Sequence, residues 1–165
     1  MKSSASQTVY HEGPIEGVVT RPLERYDDSR GWLVELYRDD ELPREHIPRM
    51  SYLCETLPGH ARGPHEHYQQ SDLFAFVGPG DLDLYLWDAR EGSATYGNRQ
   101  KLTVGSSNRQ FVIVPPGVVH AFKNSGESPA WAFNAPNVLY AGEGKQGEVD
   151  EIRHEDDPDC PFVMD

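Results

Sequence analysis

The chain has 165 residues, of which 27 are acidic and 15 are basic, so its formal net charge is −12. Hydrophobic residues make up 37% of the chain, which is enough for a packed core and excludes wholesale disorder. The acidic balance disfavours nucleic acid and anionic membrane surfaces as partners, and a mean hydropathy of −0.66 excludes a membrane-spanning helix. The length predicts one domain over residues 15–165, with a flexible arm over 1–14 and an acidic segment at its C-terminal end. Because the start of the chain has no apolar leader, we expect a cytoplasmic protein.

Short apolar runs, separated by Gly and Pro turn signals, follow one another along the chain. The run 82–86 alternates strictly between leucine and other residues, which is typical of a strand with one buried face. The predicted strands are 32–38, 50–57, 73–77, 82–86, 111–114 and 130–133. The best helical segment, 39–45, is short and contains Pro43. Many short strands with little helix predict an all-β barrel or sandwich.

Three histidines and one aspartate stand out by their spacing: His65, His67, Asp72 and His120. Because His65 and His67 are two residues apart, a strand would place both rings on the same face. Three imidazoles and a carboxylate form a ligand set that suits Zn, Mn, Fe or Ni. The sequence therefore predicts a site for one divalent transition metal and no organic cofactor.

These residues lie in two segments that resemble the two motifs of the cupin superfamily. The first motif is represented by Gly59, His65, His67, Asp72 and Gly78, with Asp in place of the usual Glu. The second is represented by Pro115, Gly117, His120 and Asn124. The resemblance implies a cupin-like β-barrel of the jelly-roll kind, with the histidines facing its interior.

A more specific resemblance extends over most of the chain, from about Ile15 to Phe162. Blocks 28–37, 62–65, 87–97 and 114–122 are similar, in order and in spacing, to those of the dTDP-4-dehydrorhamnose 3,5-epimerase family. Ile152, His154 and Asp156 fall where that family has a further short block. The family removes a proton beside the ketone of a nucleotide-linked 4-keto sugar and returns one to the opposite face.

The resemblance implies catalytic roles for several residues. His65 would be the base, and either Asp88 or Asp156 would orient its ring. His120 would line the same pocket. The family's acid is a Tyr about thirteen residues after this second histidine, and an ungapped count places Phe133 there. Tyr140, seven residues further on, is the candidate substitute.

The resemblance also implies binding roles and an assembly. Arg62 would hold the diphosphate, because a guanidinium fork suits a pair of phosphate oxygens. Arg30 and Glu35 would contact the nucleotide. The family pairs its barrels and exchanges N-terminal strands, so we expect a homodimer in which residues 17–20 supply that strand.

Departures from the family pattern keep other functions open. His67 stands where the family has Gln, Asp72 aligns near its Lys, and Met50 and Tyr52 align with its Gln and Asn. The changes to His67 and Asp72 complete the predicted set of metal ligands. Epimerisation of a dTDP-like 4-keto-6-deoxy sugar is the first hypothesis. The alternatives are a metal-dependent cupin oxygenase or isomerase and a non-catalytic sugar-binding barrel.

Overall fold

The computed structural model describes residues 8–165, so residues 1–7 of the predicted arm lie outside the described part. Thirteen strands are present among these residues: β1 His11–Glu12, β2 Val19–Pro22, β3 Arg25–Asp28, β4 Gly31–Val34, β5 Tyr52–Thr56, β6 Ala61–Glu66, β7 Asp72–Phe76, β8 Asp81–Asp88, β9 Asn98–Gly105, β10 Gln110–Val114, β11 Val118–Lys123, β12 Ala130–Asn134 and β13 Ile152–Arg153. The helical residues form four 3₁₀ turns: Asp39–Glu41, Arg44–His46, Glu143–Lys145 and His154–Asp156. The predicted all-β class is confirmed.

Two sheets carry the fold. One has six strands in the order β1-β9-β8-β11-β6-β13, and the other has five in the order β2-β10-β7-β12-β5. Within each sheet, apart from the parallel pair β1–β9, neighbouring strands are antiparallel. Strands β3 and β4 form a separate hairpin.

The main core lies between the facing sheets and follows from strand alternation. In β8 the side chains of Leu82, Leu84 and Leu86 all point into it, as the strict alternation predicts. Phe74 and Phe76 meet them from β7. Burial of these side chains drives the sheets together, because each large aliphatic or aromatic side chain contributes roughly 1.5–3 kcal/mol.

Both outer faces are also covered. The segment after β4 packs Val34, Leu36 and Tyr37 onto the outside of the five-stranded sheet. The C-terminal end packs Phe162 against Trp87 on the outside of the six-stranded sheet. The predicted strand 32–38 therefore ends at Val34, because the residues beyond it cover a sheet face.

Where the sequence suggested a short helix over 39–45, the structure has two 3₁₀ turns, Asp39–Glu41 and Arg44–His46. Pro43 separates them, consistent with its inability to continue a helical hydrogen-bond ladder. Within the predicted arm, His11–Glu12 pairs with β9. In the part of the chain that the structure describes, no helix is long and apolar enough to cross a membrane.

Candidate active site

A cavity of about 1070 Å³ opens between the two sheets, and its wall combines polar and apolar side chains. Strand β6 contributes Arg62 and His65. Phe74 and Phe122 form an apolar part of the wall. The acidic segment 148–155 lies along another side, so part of the C-terminal region shapes the cavity.

The structure brings the three histidines of the two motifs together. His65 and His120 are register partners on β6 and β11, and their ring centroids are 4.5 Å apart. His67 follows β6 and lies with its centroid 5.7 Å from His65 and 5.6 Å from His120. One nitrogen from each ring lies within 4.8 Å of the others. The His-x-His spacing and the antiparallel register together produce this cluster.

Asp72 is the buried carboxylate at the base of the cluster and is 1% exposed. Its Oδ2 lies 3.1 Å from Nε2 of His67 and 3.0 Å from Nε2 of His120. Its Oδ1 accepts hydrogen bonds from Nε2 of Gln70 and Nδ2 of Asn134. Burial opposes ionisation, but the neighbouring histidines outweigh it and hold the pKa of this carboxyl far below its usual range.

Two acceptors hold His67. Its Nδ1 contacts the carbonyl oxygen of Asp150, and its Nε2 faces Asp72. Burial lowers the pKa of an imidazole, yet here Asp72 and Asp150 raise the pKa of His67 to about 8. The carboxylate of Asp150 accepts hydrogen bonds from the backbone N–H groups of residues 68–70 and so fixes the turn that follows His67.

His65 faces the cavity as a neutral imidazole. Burial, together with the nearby rings of His120 and His67, lowers its pKa to about 2. The carboxylate within 4 Å of it is that of Glu151, whose Oε1 lies 3.9 Å from Nδ1 of His65. A neutral ring can accept a proton, and Glu151 is placed to stabilise the imidazolium that would result.

Arg62 supplies a cation to the cavity wall. Its Nη2 donates to the carbonyl oxygen of Glu55 at 2.7 Å, and its Nε donates to Thr56 at 3.3 Å. Among residues 8–165, no carboxylate lies within 4 Å of its guanidinium. By contrast Arg153, which also lines the cavity, pairs with acidic neighbours on its own segment. Arg62 is therefore the better placed of the two to receive an anion.

The structure does not bring Asp88 or Asp156 to His65, which corrects the expected carboxylate partner. Asp88 is fully buried beyond the cavity wall and accepts hydrogen bonds from Arg90, Ser93 and Thr95. Asp156 is exposed and pairs with a neighbouring arginine. The carboxylate beside His65 comes instead from Glu151, in the segment that follows the cavity wall.

Arg30 and Glu35 also lie away from the cavity of their own chain. Arg30 is at the tip of the β3–β4 hairpin and pairs with Asp28 at 2.6 Å. Glu35 follows that hairpin and is exposed. Neither residue lines the cavity. Tyr140 does line it, from the loop after β12, and is 58% exposed.

On strand β12, the residue that an ungapped count places at the position of the family's acid, Phe133, does not face the cavity. The ring of Phe133 packs into the outer cluster with Phe111 and Ile113, on the sheet face opposite the cavity. The next residue, Asn134, points inward and reaches Asp72. Because successive strand residues face opposite sides, an error of one residue in the alignment reverses the expected direction of the side chain.

Three residues at the site were missed as functional candidates by the sequence reasoning. Glu151 and Asn134 belong to no recognised motif, and Tyr52 was noted only as a departure from the family pattern. Tyr52 and Asn134 are register partners on β5 and β12, and Nδ2 of Asn134 donates to the Tyr52 hydroxyl at 2.9 Å. Strand alternation could have indicated that Asn134 faces inward, but its pairing with Tyr52 depends on the order of strands in the sheet.

Comparison with known proteins confirms the resemblance. The family model described as dTDP-4-dehydrorhamnose 3,5-epimerase matches residues 12–156. The spore coat polysaccharide biosynthesis protein SpsL of Bacillus subtilis is 36% identical over 115 residues, which cover 70% of this chain and 75% of that protein. The probable low-salt glycan biosynthesis epimerase Agl13 of Haloferax volcanii is 36% identical over 127 residues, covering 76% and 81% of the two chains.

A solved structure agrees over nearly the whole length. The dTDP sugar isomerase of Desulfovibrio desulfuricans superposes with a TM-score of 0.77 and 27% identity, covering 90% of this chain and 91% of its own. The predicted cupin-like jelly roll is thereby confirmed.

The placement of Asp88 predicts a role in stability. Although burial opposes ionisation, the donors from Arg90, Ser93 and Thr95 keep the pKa of this carboxyl well below its usual range. Asp88→Asn leaves the Arg90 guanidinium without its charged partner, so we expect the free energy of unfolding to fall by about 3 kcal/mol at pH 7. The wild-type advantage is present above the unfolded pKa of about 4 and should shrink as the pH falls below it.

Urea denaturation across this pH range measures both effects. Asp27→Asn is the matched control, because Asp27 pairs with Arg25 on the exposed hairpin and such pairs contribute about 0–1 kcal/mol. Equal stabilities of Asp88→Asn and the wild type at pH 7 would contradict the structural role.

Proposed function

The chain belongs to the dTDP-4-dehydrorhamnose 3,5-epimerase family, and from that premise we propose that it inverts a carbon beside the ketone of a nucleotide-linked 4-keto-6-deoxy sugar. Membership confirms the predicted enzyme class, a sugar epimerase among the isomerases. The names of SpsL and Agl13 refer to polysaccharide and glycan biosynthesis. We therefore propose that the product is a sugar donor for a glycan, with a dTDP-like nucleotide as carrier. A cytoplasmic location stays a prediction.

The main support for the proposal is that two suitable residues line the same cavity. His65 is a neutral histidine, and Arg62 is an arginine for which residues 8–165 supply no carboxylate partner. His65 would remove the proton beside the ketone, and Glu151 would stabilise the resulting imidazolium. Arg62 would bind the diphosphate. His120 would support the base, since its ring packs edge-on against that of His65. The apolar side chains Phe74 and Phe122 would exclude water from the sugar.

Replacement of His65 tests the base. We expect His65→Ala to abolish both the exchange of the substrate C–H with solvent deuterium and the inversion, because both begin with proton removal. NMR of dTDP-4-keto-6-deoxyglucose in deuterium oxide measures the two together. His60→Ala is the control, since His60 is exposed and does not line the cavity. Undiminished exchange in His65→Ala would assign the base to another residue.

A metal-dependent reaction is the second candidate, and the donor set fits a divalent transition ion. Metal bonds of about 2.1 Å place neighbouring ligand atoms roughly 3–3.4 Å apart. Asp72 Oδ2 lies 3.1 and 3.0 Å from the Nε2 atoms of His67 and His120, a separation that suits a hydrogen bond as well as a shared ion. The buried Nε2 of His120 makes no directed hydrogen bond. His65, His67, Asp72 and His120 would hold the ion. When bound, it would polarise a carbonyl oxygen of the substrate.

Elemental analysis tests this second candidate. If it holds, the purified protein carries about one ion per chain, chelation abolishes activity, and His67→Gln lowers the metal content markedly, because one of roughly four ligands is lost. Full activity at substoichiometric metal would exclude it. An undiminished metal content in His67→Gln would remove His67 from the ligand set.

We also propose a homodimer. The β3–β4 hairpin exposes Tyr26 and Leu33, which are register partners on one of its faces, at 55% and 62% of their surfaces, and it exposes Trp32 on its other face at 53%. A second copy could cover the face that carries Tyr26 and Leu33. Arg30 lies at the tip of this hairpin, and in a dimer it and Glu35 could reach the nucleotide of a partner. Strand β2, Val19–Pro22, overlaps the run 17–20 that was expected to be exchanged, and it pairs here with β10 of its own chain.

Sedimentation tests the assembly. We expect the wild type at micromolar concentration to sediment at twice the chain mass of 18.6 kDa. Leu33→Asp should shift it towards monomer, because the interface would then bury an unpaired charge. Val163→Asp is the control, since Val163 is comparably exposed, at 64%, near the C-terminal end. A monomeric wild type would contradict the proposal.

A further inference from the structure

Inversion needs two groups on opposite sides of the reacting carbon, and a partner for His65 remains to be identified. After His65 has removed the proton from one face, the carbon must receive a proton on the other. Phe133 cannot supply it, because a phenyl ring has no exchangeable proton and its side chain lies outside the cavity. A donor must therefore come from another side chain of the cavity wall.

Among the described residues, three tyrosines line the cavity: Tyr52, Tyr68 and Tyr140. Tyr68 is 74% exposed and Tyr140 is 58% exposed. For neither does the structure show a hydrogen bond that holds the hydroxyl group in place. Tyr52 differs, because its hydroxyl group is held by Asn134 while 45% of its surface remains open. A positioned hydroxyl is the better proton donor, since proton transfer depends on geometry first.

The hydrogen bonds around Asn134 settle which way the Tyr52 proton is free to point. The carboxylate of Asp72 can only accept, so Nδ2 of Asn134 must face it, at 2.8 Å. The same Nδ2 lies 2.9 Å from the Tyr52 oxygen and donates its second hydrogen there. The phenol oxygen is therefore an acceptor in this contact. Within residues 8–165 the structure shows no acceptor for its own hydrogen, which is left for a bound substrate.

The topology places this hydroxyl opposite the base. Tyr52 lies on β5 at the edge of the five-stranded sheet, whereas His65 lies on β6 of the six-stranded sheet. The cavity separates the two sheets, and both residues line it. A sugar ring bound between them would present one face to each.

We propose that Tyr52 is the catalytic acid of the epimerisation, an inference that rests on the proposed function. His65 takes the proton of the carbon beside the ketone, the C–H electron pair forms a C=C bond to the carbonyl carbon, and the C=O π pair moves to the oxygen to give an enolate. As the enolate re-forms the ketone, the carbon bonds to the proton of the Tyr52 hydroxyl, whose O–H bond breaks to leave a phenolate. Water then takes the proton from His65 and returns one to Tyr52, so no co-reactant is consumed.

The surroundings of Tyr52 suit both the protonated phenol and the phenolate that forms when it donates its proton. Burial of the hydroxyl and the charge of Asp72 raise the pKa of Tyr52 to about 12, so the phenol keeps its proton at neutral pH. The Asn134 amide opposes this rise, because its hydrogen bond favours the phenolate. The donor is thus fully protonated before the reaction, and the charge that it acquires has a hydrogen-bond partner in place.

Tyr52→Phe tests the inference, because it removes the hydroxyl group and keeps the ring. With dTDP-4-keto-6-deoxyglucose in deuterium oxide, we expect product formation to fall by about 10²–10⁴-fold. Exchange of the C–H for deuterium should persist without inversion, since His65 still removes the proton and returns deuterium to the same face. The surviving exchange also shows that the variant is folded.

Tyr96→Phe is the matched control and should keep inversion at the wild-type rate, because Tyr96 is 49% exposed and does not line the cavity. Tyr140→Phe and Tyr68→Phe test the two competing donors. Adding Phe133→Tyr to Tyr52→Phe should not restore inversion, because residue 133 faces the outer cluster. Inversion at the wild-type rate in Tyr52→Phe, or a loss of exchange together with inversion, would overturn the inference. A selective loss of inversion in Tyr140→Phe or Tyr68→Phe would assign the donor to that tyrosine and overturn the inference. If the wild type shows neither exchange nor inversion, the proposed function itself fails, and this role fails with it.

Discussion

The buried carboxylate of Asp72 is the interaction on which the site depends. A buried charge is costly unless it is paired and hydrogen-bonded, and Asp72 meets that condition with partners from both sheets. His120 comes from β11 of the six-stranded sheet, while Asn134 comes from β12 of the five-stranded sheet. The carboxylate thereby sets the positions of His67, His120 and Asn134 together. Through Asn134 it also sets the orientation of the Tyr52 hydroxyl. This one charge therefore contacts two of the three clustered histidines directly and reaches Tyr52 through Asn134.

The same arrangement accounts for the departures from the family pattern as a connected set. Asp72, which aligns near the family's lysine, is a buried charge, and His67, which stands where the family has Gln, supplies an imidazole partner in addition to His120. Likewise Tyr52 and Asn134 face each other across two paired strands, so the hydroxyl group and the amide form one contact. If the proposals above hold, the cavity contains both a base, His65, and an acid, Tyr52, although the polar residues around them differ from those of the family pattern. The same network places His65, His67, Asp72 and His120 close together, and for this reason a metal-dependent reaction is the second candidate.

The acidic C-terminal segment also belongs to the site. Asp150 fixes the turn after His67 through three backbone N–H groups, and Glu151 lies beside His65. A run of acidic residues is usually a solvated terminus, and composition alone favours that interpretation. Here a short strand, Ile152–Arg153, pairs with β6 and holds the segment against the cavity. The carboxylate of Glu151 is placed to oppose the burial that lowers the pKa of His65.

From the sequence alone came the all-β class, the strand faces and the placement of His65 and His67 on one side, whereas His120 joins them through the pairing of β11 with β6. Each of these depends on local rules: alternation in 82–86, the two-residue spacing of His65 and His67, and ordered motif blocks. It did not determine which carboxylate lies beside His65, because Glu151 is 86 positions away and reaches it only through the pairing of β13 with β6. It also did not determine which residue of β12 faces the cavity: an ungapped count put Phe133 at the position of the family's acid, whereas in the structure Phe133 faces outward and Asn134 faces inward. Contacts between paired strands distant in sequence, such as that of Tyr52 with Asn134, are fixed only when the sheets form.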